Sequence, residues 1–504
     1  MKPSYKILLV YPKLGFAGDL TRHIPLSLLY AAIHSIDNGF DVEVVDARLC
    51  PDSWRDAVAS KIDSRTILVG VSVMSGAPIR NALDISRFVK DAYPSVRVVW
   101  GGPHATFNGY NILDEPSVDY VISGYGSKPL AALARAIAED AKEDALQRIS
   151  GLIFRSGQKR ISVPPDHDFE YVDYKKIPYR LIEKDLARYG QLDSDKRIFS
   201  LYSCMGCPYQ CAFCSSPAQY RDYPRKFIML PVMEVVDHIE FVHKHYNADY
   251  IYFIDDDSFV NISHVEAIID EIHRRGFKVG LGFRGARINE IIKMDDAFLS
   301  KLATAGTNIM HIGAESGSQR MLDLMRKNCT VEAIIAVNKK MAKHPEIMAA
   351  YNWLVGLPGE ALEDLDKTRS LILQIIKENP NALIFMPNKL RPLPCTELFD
   401  IAVRYGYSPP RKLEDWLEIE AEGDYRAPWI SIKHEKMIRM INVTSFFIDK
   451  KLFKVGTGDT VRFRILRFVA FLYYPFAYLR FRYGLTFCLA EYSLFQWYSE
   501  RKRS

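Results

Sequence analysis

Four of the eight cysteines of this 504-residue chain lie between positions 204 and 214. So long a chain with so few cysteines is not expected to carry a disulfide framework, and their clustering indicates a metal site. Cys207, Cys211 and Cys214 are separated by three and then by two residues, a spacing that lets a tight loop turn three thiolates toward one face of an iron–sulfur cluster. A four-iron cluster takes four ligands, so three local cysteines leave one iron free to bind a small molecule.

A zinc ion is the alternative interpretation of this segment. A structural zinc site takes four Cys or His ligands, and Cys204 could supply the fourth. We predict instead that Cys204 does not bind the metal and that Cys207-Pro-Tyr-Gln-Cys211-Ala-Phe-Cys214 holds a cluster by itself.

Further polar residues follow apolar runs downstream of the cysteines. The segments are Phe253-Ile-Asp-Asp-Asp-Ser-Phe259, Phe283-Arg-Gly-Ala-Arg287, His311-Ile-Gly-Ala-Glu-Ser-Gly317 and Trp353-Leu-Val-Gly-Leu-Pro-Gly-Glu360. Asp255, Asp256 and Asp257 could not all be buried without cation or hydroxyl partners, which suits a binding site. A helix cap with solvated acids is the alternative for any one of them.

The elements that must position these residues form a regular pattern from about 198 to 392. Short apolar runs alternate with helical stretches, which predicts roughly six strand–helix units in a partial or full (β/α)6 barrel of the TIM type. The cysteines follow the first predicted strand, at the end where barrels carry their catalytic loops. The predicted strands are Phe199–Tyr202, Tyr250–Ile254, Lys278–Phe283, Ile309–Gly313, Met348–Val355 and Ala382–Met386.

An earlier region, residues 1–148, has the same alternation and predicts a doubly wound, Rossmann-like parallel sheet. Its ligand loops should lie at the carboxyl ends of the strands, at Pro12–Gly18, Ser72–Gly76 and Gly101–Phe107. The predicted strands are Ile7–Tyr11, Asp41–Val45, Ile67–Val73, Val96–Trp100 and Tyr120–Ile122, and the predicted helices are Leu26–Asn38, Ser53–Ile62, Pro78–Ala92 and Lys128–Ala138. Residues 149–195 are expected to form a strand pair and a linker, 196–395 the barrel, and 396–504 a helical, basic and aromatic region.

The cysteine spacing resembles the CxxxCxxC signature of the radical S-adenosylmethionine (SAM) superfamily, and the downstream segments match that family in order. The resemblance implies a 4Fe–4S cluster held by Cys207, Cys211 and Cys214, whose open iron binds SAM and cleaves it to methionine and a 5′-deoxyadenosyl radical. The resemblance also implies the SAM contacts. These are Phe213 beside adenine, Asp255 and Asp256 on the methionine amine, Arg287 on the carboxylate or on those acids, Glu315 and Ser316 on ribose and carboxylate, and Gly356 and Pro358 in a segment that packs on adenine.

A doubly wound domain before such a barrel resembles the cobalamin-binding domain of one radical SAM subfamily. The resemblance implies cobalamin contacts at Ser72, Gly101, Gly102, His104 and Gly124. No Asp-x-His-x-x-Gly follows the first strand, so we do not expect a histidine to ligate cobalt, and we expect His104 to be a hydrogen-bonding surface residue. Gly124-Tyr-Gly-Ser127 replaces the usual Gly-Glu-Gly-Glu, so a domain that keeps the fold without the cofactor is the alternative.

The carboxyl-terminal segment RFRILRFVAFLYYPFAYLRFR, residues 462–482, is apolar and aromatic with arginines at both ends. Its longest uncharged stretch, Phe468 to Leu479, has twelve residues, too few to span a bilayer. The composition suits a segment lying on anionic lipid. A helix pair that closes the barrel, with its arginines reaching solvent, is the alternative.

The sequence thus predicts an enzyme that transfers a methyl group to an unactivated carbon of a small or lipid-like substrate. Radical cyclisation, oxidation or rearrangement is the alternative reaction, and a non-catalytic cofactor-binding or membrane scaffold is the alternative of another class. The net charge of +5 is too small for this length to favour a nucleic-acid partner. The chain starts without an apolar signal core, which predicts a cytoplasmic protein, at the membrane surface if the tail binds lipid. The resemblance also implies an external electron donor of the flavodoxin or ferredoxin type.

Overall fold

The computed structural model describes residues 5–14, 21–191, 196–419, 427–454 and 461–493. The chain forms two compact units. The first comprises Met1–Leu192, Gln219–Arg225 and Pro409–Tyr425, and the second comprises Asp193–Ala218, Lys226–Ser408 and Arg426–Ser504. The domain boundaries at 148, 195 and 395 stay predictions.

The first unit is built on a seven-stranded sheet in the order β3-β1-β4-β5-β6-β7-β8. The strands from β3 to β6 are parallel, and β7 and β8 add an antiparallel hairpin beside β6. The strands of this unit are β1 Lys6–Tyr11, β2 Thr21–Arg22, β3 Asp41–Asp46, β4 Thr66–Ser72, β5 Arg97–Gly101, β6 Tyr120–Ile122, β7 Leu152–Ser156, β8 Lys159–Ser162 and β9 Gly190–Gln191.

The parallel strands have the doubly wound order 2-1-3-4-5, counted without the short β2, so the predicted sheet is confirmed. Its interior is a cluster of aliphatic residues from strands and helices, among them Ile7, Leu28 and Leu133. The helices are α1 Leu26–Asp37, α2 Trp54–Ala59, α3 Pro78–Ala92, α4 Pro103–Ile112, α5 Ser127–Ala138 and α6 Glu143–Leu146.

The predicted ligand loops have different outcomes. Part of Pro12–Gly18 lies outside the described residues, so that loop stays a prediction. The loop expected at Gly101–Phe107 is wrong, because α4 begins at Pro103 directly after Gly102. Proline is favoured in the first turn of a helix, where its missing N–H costs no hydrogen bond.

Two later segments complete the first unit. Tyr220 and Tyr223 pack around Phe169, with ring centroids 5.2 Å from it. In the second segment, Glu414 pairs with Arg87 of α3, and the Trp416 ring lies edge-on to His104, at a centroid distance of 5.3 Å. The first unit is therefore not a continuous stretch of sequence.

The second unit contains six consecutive parallel strand positions, which confirms the predicted partial barrel. The third position is split, since β14 pairs with β13 while β15 pairs with β16. The strands of this unit are β10 Ile198–Leu201, β11 Cys204–Gly206, β12 Phe227–Met229, β13 Tyr250–Phe253, β14 Gly280–Phe283, β15 Ala286–Arg287, β16 Ile309–Glu315, β17 Met348–Val355, β18 Ala382–Ile384 and β19 Asn388–Lys389.

Helices alternate with these strands and then continue alone toward the carboxyl end. They are α7 Ser216–Gln219, α8 Val232–Tyr246, α9 Ile262–Arg275, α10 Ile288–Ile291, α11 Asp296–Thr304, α12 Gln319–Leu324, α13 Val331–Met341, α14 Leu362–Glu378, α15 Glu397–Arg404, α16 Ile432–Ile448, α17 Lys451–Lys454 and α18 Val461–Tyr483. Short 3-10 helices lie at Tyr174–Lys176, Tyr179–Leu181, Glu183–Arg188, Ser258–Val260 and Glu414–Ile419.

The last helix, α18, contains the whole of the apolar segment 462–482 singled out from the sequence. Within the part of the chain that the structure describes, no helix combines the length and hydropathy that a bilayer crossing requires.

Candidate active site

The three predicted cluster cysteines lie on one loop in the second unit, after the hairpin strand β11. The backbone of Ala212 fixes this loop from two sides. Its N–H donates to the Met325 carbonyl, and its carbonyl accepts from the Leu398 N–H, both at 2.9 Å. The Cys214 N–H donates to the Cys211 carbonyl at 3.1 Å, which makes the tight turn that the spacing predicts.

The sulfurs of this loop already accept hydrogen bonds. Arg287 Nη1 donates to Cys211 Sγ at 2.9 Å, and the Ser216 N–H donates to Cys214 Sγ at 3.5 Å. Burial raises the pKa of Cys207 to about 12 and also raises the pKa of Cys214, so without metal these groups are thiols. Iron would deprotonate them, because a coordinating thiol loses its proton to the metal's charge. Thiolates that bind an iron–sulfur cluster accept hydrogen bonds from the protein. The donors directed at these sulfurs therefore fit an iron–sulfur cluster.

A single metal ion fits this loop less well. Among the described residues, no three Cys, His, Asp or Glu side chains are gathered closely enough to share one ion. A four-iron cluster binds each sulfur to a different iron and does not require that close approach. Cys204 lies in β11, is 1% exposed, and contacts the Asp257 carbonyl through its Sγ at 3.3 Å.

We therefore expect a Cys204→Ala variant to keep its cluster. Its thiol contacts a carbonyl, and removing one buried sulfur should cost only about 1 to 2 kcal/mol of folding stability. Iron and sulfide analysis of the anaerobically reconstituted variant measures this. Loss of one or more irons relative to wild type would contradict the prediction and restore Cys204 as a ligand.

The three acids after β13 have different environments. Asp255 is 1% exposed and accepts hydrogen bonds from the hydroxyls of Ser203 and Ser258 and from the Ser203 and Cys204 N–H groups. Asp256 is exposed. The expected hydroxyl partners are therefore present at Asp255, and they join the β13 end to the start of the cysteine segment. The roles of Asp255 and Asp256 toward SAM stay predictions.

Asp257 belongs to a second buried group that contains Glu290 and Tyr209. Burial raises the pKa of Asp257, and the neighbouring Glu290 carboxylate raises it further. Tyr209 donates its hydroxyl to Glu290 Oε1 at 2.7 Å. The Arg287 guanidinium lies 3.9 Å from the centroid of the Tyr209 ring.

Arg287 connects this group to the cysteines. Besides its bond to Cys211, its Nη2 donates to the Lys327 carbonyl at 2.8 Å. Its Nε is buried and has no hydrogen-bond partner within the described residues. One donor of Arg287 thus remains unused, and its contact with the SAM carboxylate or with the nearby acids stays a prediction.

Glu315 ends strand β16 in the left-handed backbone region, at φ 64°. Its Oε1 pairs with Lys327 Nζ at 2.8 Å, and both side chains are almost completely buried. Burial alone would lower the pKa of Lys327, but the Glu315 carboxylate and the nearby Cys211 sulfur raise it above its ordinary value. Lys327 Nζ also lies 5.8 Å from the centroid of the Phe213 ring. The ion pair thus joins two predicted SAM contacts, Glu315 and Phe213.

The remaining predicted SAM contacts lie just after β16 and β17. Ser316 is 0% exposed, and its hydroxyl bonds to Thr368 and accepts from the Ser318 N–H. Gly356, at φ 73°, donates its N–H to Glu360 Oε2, and Pro358 is buried beside it. Ser316, Gly356 and Pro358 stay predicted SAM contacts. The Ser316 hydroxyl already forms hydrogen bonds with other residues of the chain.

In the first unit, four of the predicted cobalamin contacts share one edge of the sheet. Ser72 ends β4, Gly101 ends β5 opposite Ser72, and Gly124 follows β6 by two residues. A Cβ on Gly101 would meet nothing closer than an atom 4.0 Å away, so the space beside it is open. At Gly102, by contrast, a Cβ would lie 2.9 Å from the Val73 nitrogen. This edge is therefore open beside Gly101, whereas the missing side chain at Gly102 allows β5 to approach β4.

His104 is not the surface residue that the sequence predicts. It is 0% exposed, its Nδ1 is 2.9 Å from the Ser75 hydroxyl, and Trp416 covers its ring. Burial lowers its pKa to about 4, so the ring is neutral at physiological pH. The prediction failed because it placed His104 on a loop, whereas α4 and Trp416 enclose it.

Sequence reasoning missed Lys327, Tyr209 and Glu290. Glu290 does carry a signal, since an acidic residue in the first turn of a helix can cap it, and Glu290 accepts from the Arg287 N–H at 3.0 Å at the start of α10. The sequence gives no such signal for Lys327, because no sequence motif links it to its partner Glu315.

Comparisons with known families agree with both units. Residues 201–372 match the model of the Radical SAM superfamily, and residues 17–134 match that of the B12 binding domain. Both cofactor-binding regions predicted from the sequence are therefore present in one chain.

Individual relatives extend the match over most of the chain. An uncharacterized methyltransferase of Pyrococcus horikoshii is 27% identical over 371 residues, 72% of this chain and 76% of the relative. An anaerobic magnesium-protoporphyrin IX monomethyl ester cyclase of Rubrivivax gelatinosus is 25% identical over 395 residues, 76% and 68% of the two chains.

One solved structure shows the same fold. The radical SAM methyltransferase TsrM of Kitasatospora setae, with cobalamin and a [4Fe-4S] cluster bound, superposes with a TM-score of 0.62 at 20% identity and covers 81% of this chain and 76% of its own. The two domain matches identify the chain as a member of the radical SAM enzymes that carry a B12 binding domain.

Proposed function

We propose that this enzyme transfers a methyl group to an unactivated carbon of a small or lipid-like molecule. The observation that carries the proposal is the open space at Gly101, on the sheet edge of a domain that matches B12-binding proteins, in the same chain as a cluster-binding loop. When bound, the cluster and SAM would supply a carbon-centred radical, and cobalamin would supply a methyl group.

The residues of the chain hold and orient these groups. Cys207, Cys211 and Cys214 would hold the cluster, with the Arg287 donor stabilising the negative charge on Cys211. Lys327 fixes Glu315 at the end of β16, where the sequence predicts contact with the SAM ribose. Cationic Arg287, whose buried Nε has no hydrogen-bond partner within the described residues, would favour an anionic carboxylate beside the cluster loop.

Cyclisation without methyl transfer is the second candidate. It is favoured by the absence of both usual acids in Gly124-Tyr-Gly-Ser127 and by the cyclase among the relatives. If this edge binds no corrinoid, the radical chemistry of the second unit would act without a methyl carrier.

A substitution that fills the open space beside Gly101 distinguishes methyl transfer from cyclisation. The Cβ of Gly101→Leu would meet no atom closer than 4.0 Å, so we expect the fold to persist and the added side chain to exclude a bulky ligand. Ser60→Leu, exposed after α2 toward the amino ends of the strands, is the matched control. We expect wild type and the control to purify with corrinoid after expression with hydroxocobalamin, and Gly101→Leu to lose most of it by visible absorbance.

Methyl transfer itself is tested with SAM carrying a ¹³C methyl group and a solvent extract of the source cells. We expect labelled methyl in one extract component together with S-adenosylhomocysteine. Formation of 5′-deoxyadenosine with no label in any product, or wild-type protein free of corrinoid, would reject methyl transfer in favour of cyclisation.

The partners proposed for this reaction are a small-molecule or lipid-like substrate and an external electron donor of the flavodoxin or ferredoxin type. We also propose that the enzyme works at the membrane surface. The exposed apolar residues of α18 support a peripheral contact, since large apolar surfaces on folded proteins mark interaction sites.

A further inference from the structure

Helix α18 exposes a continuous stripe of large apolar side chains. They follow one another at intervals of three, four or seven residues, which places them on one face of the helix. The stripe consists of Ile465 (59% exposed), Phe468 (65%), Leu472 (61%), Phe476 (49%), Leu479 (51%) and Tyr483 (62%).

The other face of α18 is packed against the protein. Ala470, Ala477 and Phe481 are buried, and α18 lies along α16 and α14. Arg369 of α14 donates to the Phe481 carbonyl at 2.7 Å. Arg480, 1% exposed, pairs with Glu491 instead of reaching solvent. The helix is therefore held in place by one face, and the stripe belongs to a fixed surface.

The charges around the stripe have one sign. Residues 427–454 and 461–493 contain three acids, and each pairs with a base: Glu435 with Lys389, Asp449 with Lys451, and Glu491 with Arg480. The exposed charged residues of these segments are all basic, namely Lys433, Lys436, Lys450, Arg464 and Arg482. Arg464 and Arg482 are about five turns apart, so they project from the same side of the helix near its two ends.

We propose that α18 lies flat on an anionic membrane, with this stripe among the lipid chains and the bases at the headgroups. An apolar face with basic flanks is the pattern of interfacial helices. A second copy of this chain fits less well, because its basic residues would face like charges across the contact. The proposal rests on α18 and its neighbours, and not on the reaction that the enzyme performs.

Vesicle binding tests the proposal with the full chain. We expect co-sedimentation with phosphatidylcholine vesicles that contain phosphatidylglycerol, and binding at least about tenfold weaker to phosphatidylcholine alone or in high salt. Phe468→Ser/Leu472→Ser/Phe476→Ser should weaken binding to the anionic vesicles by at least about tenfold, since it removes three large side chains from the lipid contact.

The matched control removes three exposed apolar side chains elsewhere in the second unit. Met233→Ser/Ile292→Ser/Val403→Ser, at sites 50%, 44% and 41% exposed, should bind vesicles as wild type does. Circular dichroism and iron content establish that both triple variants are folded. Equal binding by wild type and the α18 variant would overturn the proposal, as would a wild type that ignores vesicles and forms dimers that the α18 variant abolishes. Neither result depends on turnover.

Discussion

Replacing Cys207, Cys211 and Cys214 together by alanine is expected to remove the cluster and to reduce formation of 5′-deoxyadenosine from SAM below detection. Iron–sulfur clusters need thiolate ligands, and these three share a loop that Ala212 holds between two backbone hydrogen bonds. Iron and sulfide content, visible absorbance and product analysis measure the effect. Formation of 5′-deoxyadenosine should be lost completely, because SAM is cleaved only when it is bound to an iron of the cluster, and the variant holds no cluster.

A second triple variant separates this effect from the mere removal of thiols. Cys50→Ala/Cys395→Ala/Cys488→Ala changes the same number of cysteines at sites that are exposed or half-buried. It should retain about four irons and wild-type cleavage of SAM. If the cluster-loop variant still makes 5′-deoxyadenosine, the assignment of the cluster to that loop is wrong.

A Lys327→Met variant is expected to lose about 3 to 5 kcal/mol of folding stability, since it leaves the buried Glu315 carboxylate without its countercharge. The pair is built into the fold. A Cβ on Gly313 would lie 2.6 Å from both Glu315 Oε1 and Lys327 Nζ, so any side chain at this strand position would displace the pair from its present place. Urea unfolding of the metal-free protein, with hydrogen exchange of peptides that span β16, measures the loss locally.

Two further variants give this prediction its controls. Lys327→Met/Glu315→Gln removes both charges and should recover much of the stability while still impairing SAM binding. Lys301→Met removes a half-buried surface partner of Glu266 and Asp270 and should cost less than about 1 kcal/mol. A Lys327→Met protein as stable as Lys301→Met would show that Glu315 is not held as a buried charge.

Much of the fold could be predicted because hydrophobic periodicity is a local property. The strands predicted at Ile7–Tyr11 and Met348–Val355, for example, coincide with β1 and β17 to within one residue at each end. The cluster loop could be predicted for a similar reason, since its three ligands come from one short stretch whose chemistry depends on residue type and spacing.

The partners of individual side chains could not be predicted, because they come from distant parts of the sequence. Arg287 was expected to meet the SAM carboxylate or nearby acids, and it donates to Cys211 and to the Lys327 carbonyl. The burial of His104 depends on Trp416, more than three hundred residues later in the sequence. No local pattern carries that information.

The contact between His104 and Trp416 also has a consequence for synthesis on the ribosome. The sheet of the first unit is complete in sequence by Leu192, yet Trp416 and Glu414 belong to the same unit. About 220 residues must be added in between, which takes roughly 10 to 45 s at ordinary translation rates. Throughout that interval the nascent sheet lacks the cover over His104 and exposes a surface on which chaperones can act. Synthesis of the first unit therefore begins first, but its last residues are added only late in translation.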